Sequence, residues 1–140
     1  MKARIVFALL IVLLALAGCG AREASLTPDQ IIQAFQDAGL EAATSSAMAA
    51  ADYGMAPYVG QGVRFVIPSL CEDCGGRVFV GTKAEIDQLA AFYEEAGKAS
   101  ALLFSWTFRT QDGRGVVQIN GDLPETDALR YKAVMEAIGQ

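Results

Sequence analysis

Between Thr27 and Gly39 the apolar residues Ile31, Ile32, Phe35 and Ala38 recur at helical spacing, which predicts an amphipathic helix. Its start is marked by Thr27-Pro28-Asp29-Gln30. Thr27 and Gln30 can close a capping box, and Pro28 suits the first helical position. Gly39 is a natural stop. The stretch that follows, LEAATSSAMAAADYGMAPYVGQG over residues 40–62, keeps neither the helical nor the strand period. Its glycines and Pro57 mark the later part as loop.

From Val63 the pattern resolves into two similar units, each a hairpin followed by a helix. In the first, VRFVI (63–67) and RVFV (77–80) flank a loop containing CEDCGG, and Thr82-Lys83-Ala84-Glu85 caps a helix carrying Ile86, Leu89, Ala90 and Tyr93. In the second, ALLFSWTF (101–108) and GVVQIN (115–120) flank Gln111-Asp112-Gly113-Arg114, whose Asp-Gly favours a hairpin turn. A helix from about Pro124 to Ile138 follows, with Ala128, Tyr131, Met135 and Ile138 on one side and Asp122 placed to cap it. Gly97 and Gly139 are expected to end the two helices.

The predicted fold is therefore α+β: an N-terminal helix, then two ββα units forming one mostly antiparallel sheet with helices on one face. Leu102, Phe104, Trp106 and Phe108 share the strand side expected to meet those helices. The other side would carry Arg64, Thr107, Arg109, Gln118 and Asn120. Such a polar face is either a solvated surface or a docking surface for a ligand or partner. Tyr53, Met55 and Tyr58, in the aperiodic stretch, either cover one end of the core or line a groove beside it.

The first residues have a different character. Lys2 and Arg4 precede an unbroken apolar run, Ile5 to Ala17, which is shorter than the ~20 residues a membrane span needs. Charged start, short apolar run and small-residue end form the layout of a signal peptide. Leu16-Ala17-Gly18-Cys19 resembles the lipobox of bacterial lipoproteins. That resemblance implies that Cys19 receives a diacylglyceryl group, with palmitate-type chains, and becomes the first residue after cleavage. More than one acyl chain anchors a protein stably to a membrane. The chain then divides into a signal peptide (1–18), a lipid-anchored tether (19–26) and one domain (27–140). Gly20 stands where an inner-membrane retention signal would place Asp. The expected location is the cell membrane or the outer membrane, with the domain outside the cytoplasm.

Charge and composition narrow the chemistry. Sixteen acidic against 11 basic side chains give the 140-residue chain a formal charge of −5. Loss of Lys2 and Arg4 with the signal peptide makes it more negative still. An acidic surface repels phosphate backbones, so nucleic acid is not an expected partner. The chain has no histidine. This removes the commonest general base near neutral pH, the commonest nitrogen ligand for metals, and every Ser-His or Cys-His nucleophile. The expected partners are the membrane, through the lipid, and an envelope protein or small ligand.

DYGMAP (52–57), FVIPSL (65–70), GGRVFVG (75–81) and QINGDLP (118–124) resemble, in this order, stretches of small uncharacterised bacterial lipoproteins. The resemblance implies one extracytoplasmic domain and brings no activity with it.

Cys71 and Cys74 admit three chemistries. A thioredoxin-type pair opens a helix, which lowers the attacking thiol's pKa, whereas this pair lies in a hairpin loop with Glu72 and Asp73 between the sulfurs. Structural zinc wants four ligands, and the chain offers these two thiols and no histidine. A disulfide suits an exported domain, and so short a loop contributes only about 2 kcal/mol. The leading expectation is a non-enzymatic binding or accessory domain stapled by Cys71–Cys74. The alternative is a membrane-tethered thiol-disulfide oxidoreductase using the same cysteines.

Other motifs weaken on inspection, and no metal or cofactor is expected. Gly76-x4-Gly81-Thr82-Lys83 has the order of a phosphate loop reversed, around a strand. Asp122, Glu125 and Asp127 are acids at a helix start, favoured there by the helix dipole. Glu94-Glu95 forms a solvated helix edge.

Overall fold

The computed structural model describes residues 25–140. The expected signal peptide (1–18), Cys19 and most of the expected tether (19–26) lie outside the described residues. Leu26, at the end of the expected tether, is half-buried and packs against the core.

Helix α1 (Pro28–Asp37) is capped as its sequence predicts. The Thr27 hydroxyl accepts from the Gln30 amide at 3.3 Å, and Gln30 Oε1 accepts from the Thr27 amide at 2.9 Å. Ile31, Ile32 and Phe35 are buried, whereas Ala38 is the exposed C-cap. Gly39, at φ 71°, then turns the chain.

The aperiodic stretch contains a strand, β1 (Ala43–Ala47), followed by a 3-10 turn at Ala50–Tyr53. Its sequence, ATSSA, hides this because most of its residues are exposed at the sheet edge and no apolar alternation is imposed. The hairpin β2 (Gln61–Val66) and β3 (Gly75–Val80) leads into α2 (Lys83–Ala99). The hairpin β4 (Ser105–Arg109) and β5 (Gly115–Asn120) leads into α3 (Glu125–Ala137). The five strands form one sheet in the order β1-β2-β3-β5-β4, with every neighbouring pair antiparallel.

The helices do not share one face, contrary to the sequence expectation. Helices α1 and α3 pack on the side bearing Val63, Phe65, Val78, Val80, Val117 and Ile119. Within that core Phe35 meets Tyr131 edge-on at 5.1 Å and Phe65 at 5.9 Å. Helix α2 covers the opposite side, where Ile86, Leu89, Ala90 and Tyr93 pack with Phe79, Val116 and Tyr53. The reason lies in β3 and β5. Phe79 and Val116 are cross-strand partners that alternate with the first core's valines, so these strands are apolar on both faces at one end and need cover on each.

Three boundaries also move. Residues Ala101–Leu103 form a 3-10 turn, begun by the Ser100 hydroxyl accepting from the Leu102 amide at 3.3 Å, so β4 starts only at Ser105. Gly97 does not end α2. It lies inside the helix, where a Cβ would come 3.3 Å from Phe104 Cα, so glycine permits the turn to pack there. Helix α3 has Pro124 at its N-cap, and Asp122 instead uses its amide to donate to Asn120 Oδ1 at 2.8 Å.

Candidate functional site

The face under α2 changes character along the strands. At one end Gly62, Phe79 and Val116 lie side by side in register and are buried by α2 and the segment after β1. Two residues further along each strand comes a polar row across the whole sheet: Ser46, Arg64, Arg77, Gln118 and Thr107, each the partner of the next. Beyond it Asn120 pairs with Ser105.

Over this polar end the structure leaves a groove of about 730 Å³. Arg64, Arg77, Gln118 and Asn120 line it from the sheet, Phe92 and Tyr93 from α2, and Leu102 to Phe104 from the 3-10 turn. Cys71, Asp73 and Cys74 border it from the β2–β3 loop. Met55, Leu102, Leu103 and Phe104 are all exposed large apolar side chains on its walls, Leu102 at 95% and Met55 at 85%. These exposed apolar side chains are gathered along one groove.

Arg64 and Arg77 face each other directly across β2 and β3. Like charges in that relation destabilise a sheet. Among the described residues neither forms an ion pair. Arg77 Nη1 donates to Gln118 Oε1 at 3.2 Å, while its Nε is buried without a partner. The Tyr93 hydroxyl, Ser105 Oγ and Thr107 Oγ1 share that condition. All four atoms belong to this face of the sheet or to the helix covering it. Burial raises the Tyr93 pKa, and the adjacent Arg77 guanidinium offsets part of the rise without reaching good hydrogen-bond geometry.

The sequence-predicted candidates divide. Tyr53, Met55, Arg64, Gln118 and Asn120 come together in the groove. Thr107 lies in an adjoining hollow below α2. Arg109 is engaged with Glu94 of α2 at 3.2 Å. Tyr58 is outside the groove, edge-on to Tyr53 at 4.9 Å. Burial raises the Tyr53 pKa, with smaller contributions from Tyr58 and Tyr93. Sequence reasoning missed Arg77, Tyr93 and Ser105. Arg77 shares strand parity with the buried Phe79, and a sheet expected to be covered on one side gives no signal that singles Arg77 out.

Cys71 and Cys74 form a disulfide, with Cα atoms 5.0 Å apart, in the β2–β3 loop. Neither cysteine opens a helix, and the Cys74 amide donates to the Cys71 carbonyl across the turn. No group of three or more histidine, cysteine or carboxylate side chains suited to a metal ion gathers among the described residues. No helix among them is long and apolar enough to cross a membrane. The chain matches no protein-family model, no curated protein and no solved structure.

Proposed function

We propose that this chain is a membrane-anchored lipoprotein, acylated at Cys19, whose domain outside the cytoplasm binds a ligand or partner without catalysis. The observation that carries the binding assignment is the groove over the polar row, where Arg64 and Arg77 stand opposed, without carboxylate partners among the described residues, beneath an exposed apolar rim. Unpaired cations beside apolar walls are the features of a recognition site: the walls supply area and the few polar groups supply orientation. The anchoring assignment rests on Leu16-Ala17-Gly18-Cys19 and the apolar run before it. Intact-mass measurement of protein from the producing cell tests it. Acyl addition at Cys19, with release of the Cys19→Ala variant from membranes, is the expected result; an unmodified Cys19 in membrane-derived protein overturns it.

The alternative, a tethered thiol-disulfide oxidoreductase, draws on the position of Cys71 and Cys74 beside the groove. Against it, neither sulfur has a helix N-terminus to stabilise a thiolate, and Glu72 and Asp73 between them disfavour one. Disulfide-reduction turnover that disappears in Cys71→Ser would establish the alternative. The binding assignment predicts no turnover in either protein.

A further inference from the structure

We infer that the groove over the polar row takes an amphipathic carboxylate, a small molecule with a single acidic head and a hydrocarbon chain; this rests on the assignment of the groove as a binding site. The head is specified by charge. Arg64 and Arg77 are held side by side by the β2–β3 register, so an anion between them would turn a repulsive pair into a clamp. The hydrogen bond from Arg77 to Gln118 Oε1 fixes one edge of that guanidinium and leaves further donors for a carboxylate. Tyr93, only 8% exposed, lines the same groove, and its buried hydroxyl has no hydrogen-bond partner among the described residues.

A single negative charge fits better than a phosphate's higher charge. Asp73 and Asp122 also line the groove, both exposed and neither ion-paired to the arginines, so the two arginines and two aspartates leave the lining without net formal charge and the positive field is confined to the opposed arginine pair. The chain's overall charge of −5 likewise disfavours polyanions. The hydrocarbon chain is specified by the walls. Met55, Leu102, Leu103 and Phe104 present apolar surface to solvent that an alkyl chain would cover. The volume of about 730 Å³ lies in the range of small-molecule sites.

The test titrates the full chain in lipid nanodiscs, with empty discs as reference, using octanoate, octanol and octyl phosphate followed by calorimetry. Octanoate is expected to bind best, with octanol weaker by about tenfold or more, the scale of a charge-assisted hydrogen bond. Arg64→Gln and Arg77→Gln should each lose about as much, and Leu102→Ser should weaken octanoate several-fold. Arg64 and Leu102 are exposed, so their variants remain informative even if Arg77→Gln folds poorly. Octanol binding as tightly as octanoate, with both arginine variants unaffected and Leu102→Ser weakened, would overturn the carboxylate inference while leaving a binding groove. Octyl phosphate binding more tightly than octanoate would overturn the choice of head group. Absence of binding by all three overturns the inference, and the anchoring and turnover experiments above still decide the broader assignment independently.

Discussion

Two rows of side chains cross the sheet one residue apart along every strand, and they have opposite characters. Ala47, Val63, Val78, Val117 and Phe108 make the row facing α1 and α3, apolar from edge to edge. Ser46, Arg64, Arg77, Gln118 and Thr107 make the neighbouring row on the other face. The first row is built for stability, because Val63, Val78 and Val117, with the half-buried Phe108, remove apolar surface from water, and only Ala47 at the sheet edge stays exposed. The second leaves donors without partners among the described residues and cations opposed, which costs stability unless something else is gained. The division of labour is therefore between the faces, and the repeated ββα units do not share it equally.

The largest expected effect tests the closed face. Phe35 is fully buried between Phe65 and Tyr131, and Phe35→Ala should lower the unfolding free energy by about 3–5 kcal/mol in denaturant titrations. On the grooved face the almost fully exposed Leu102 should tolerate serine within about 0.5 kcal/mol. Similar losses from both substitutions would mean that the groove wall is structural and would break the comparison.

Much of the closed face was legible because its residues obey simple periods. Ile31, Ile32 and Phe35, and later Ala128, Tyr131 and Met135, mark buried helix stripes, and both Thr-initiated capping boxes form as predicted. The grooved face was only partly legible. Arg64, Gln118 and Asn120 announce a polar side, but register is a long-range property, so nothing local in RVFV indicates that Arg77 meets Arg64. Phe79 in the same strand points to the same side as Arg77, and that mixture is what draws α2 onto a face expected to lie open. Strand β1 was hidden for a related reason: an edge strand of small polar residues carries no burial pattern to read.

A smaller effect is expected at the border of the groove. Changing Cys71 and Cys74 together to serine should leave the fold intact and lower stability by no more than about 2 kcal/mol, since the closed loop is short. Thiol titration of protein purified from its producing cell under denaturing, non-reducing conditions should find neither thiol free. Two free thiols from this pair would contradict the staple.

Two tyrosines carry the comparison down to single hydroxyl groups. Tyr131, on the closed face, donates to the Glu41 carbonyl at 2.7 Å, and Tyr131→Phe should cost about 1–2 kcal/mol. Tyr93, on the grooved face, has no hydrogen-bond partner among the described residues, so Tyr93→Phe should leave stability unchanged or raise it. Burial, aided by the Glu41 carboxylate, pushes the Tyr131 pKa from 10.0 to about 12. The neutral phenol is the form the fold prefers, and above pH 10 the unfolded chain binds fewer protons than the folded one. Stability should therefore fall as pH rises from about 10 to about 12, and Tyr131→Phe should flatten part of that slope. Tyr53 and Tyr93, also raised, account for some of the remainder.

The smallest effect belongs to the contact that ties α2 to the edge of the grooved face. Arg109 Nη2 meets Glu94 Oε1 at 3.2 Å, with both side chains about two-fifths exposed. An ion pair this wet is worth only about 0–1 kcal/mol, because water solvates both ends when it breaks and salt screens it. Glu94→Gln should accordingly lower stability by no more than about 1 kcal/mol, with the difference shrinking as ionic strength rises. The substitution also separates the two cationic groups of this face. Arg109 already has a carboxylate partner, whereas Arg64 and Arg77 have none among the described residues. Octanoate affinity should thus be unchanged in Glu94→Gln, although Arg64→Gln reduces it. A loss of affinity in Glu94→Gln as large as in Arg64→Gln would mean that the position of α2, and not the opposed arginines, governs the groove.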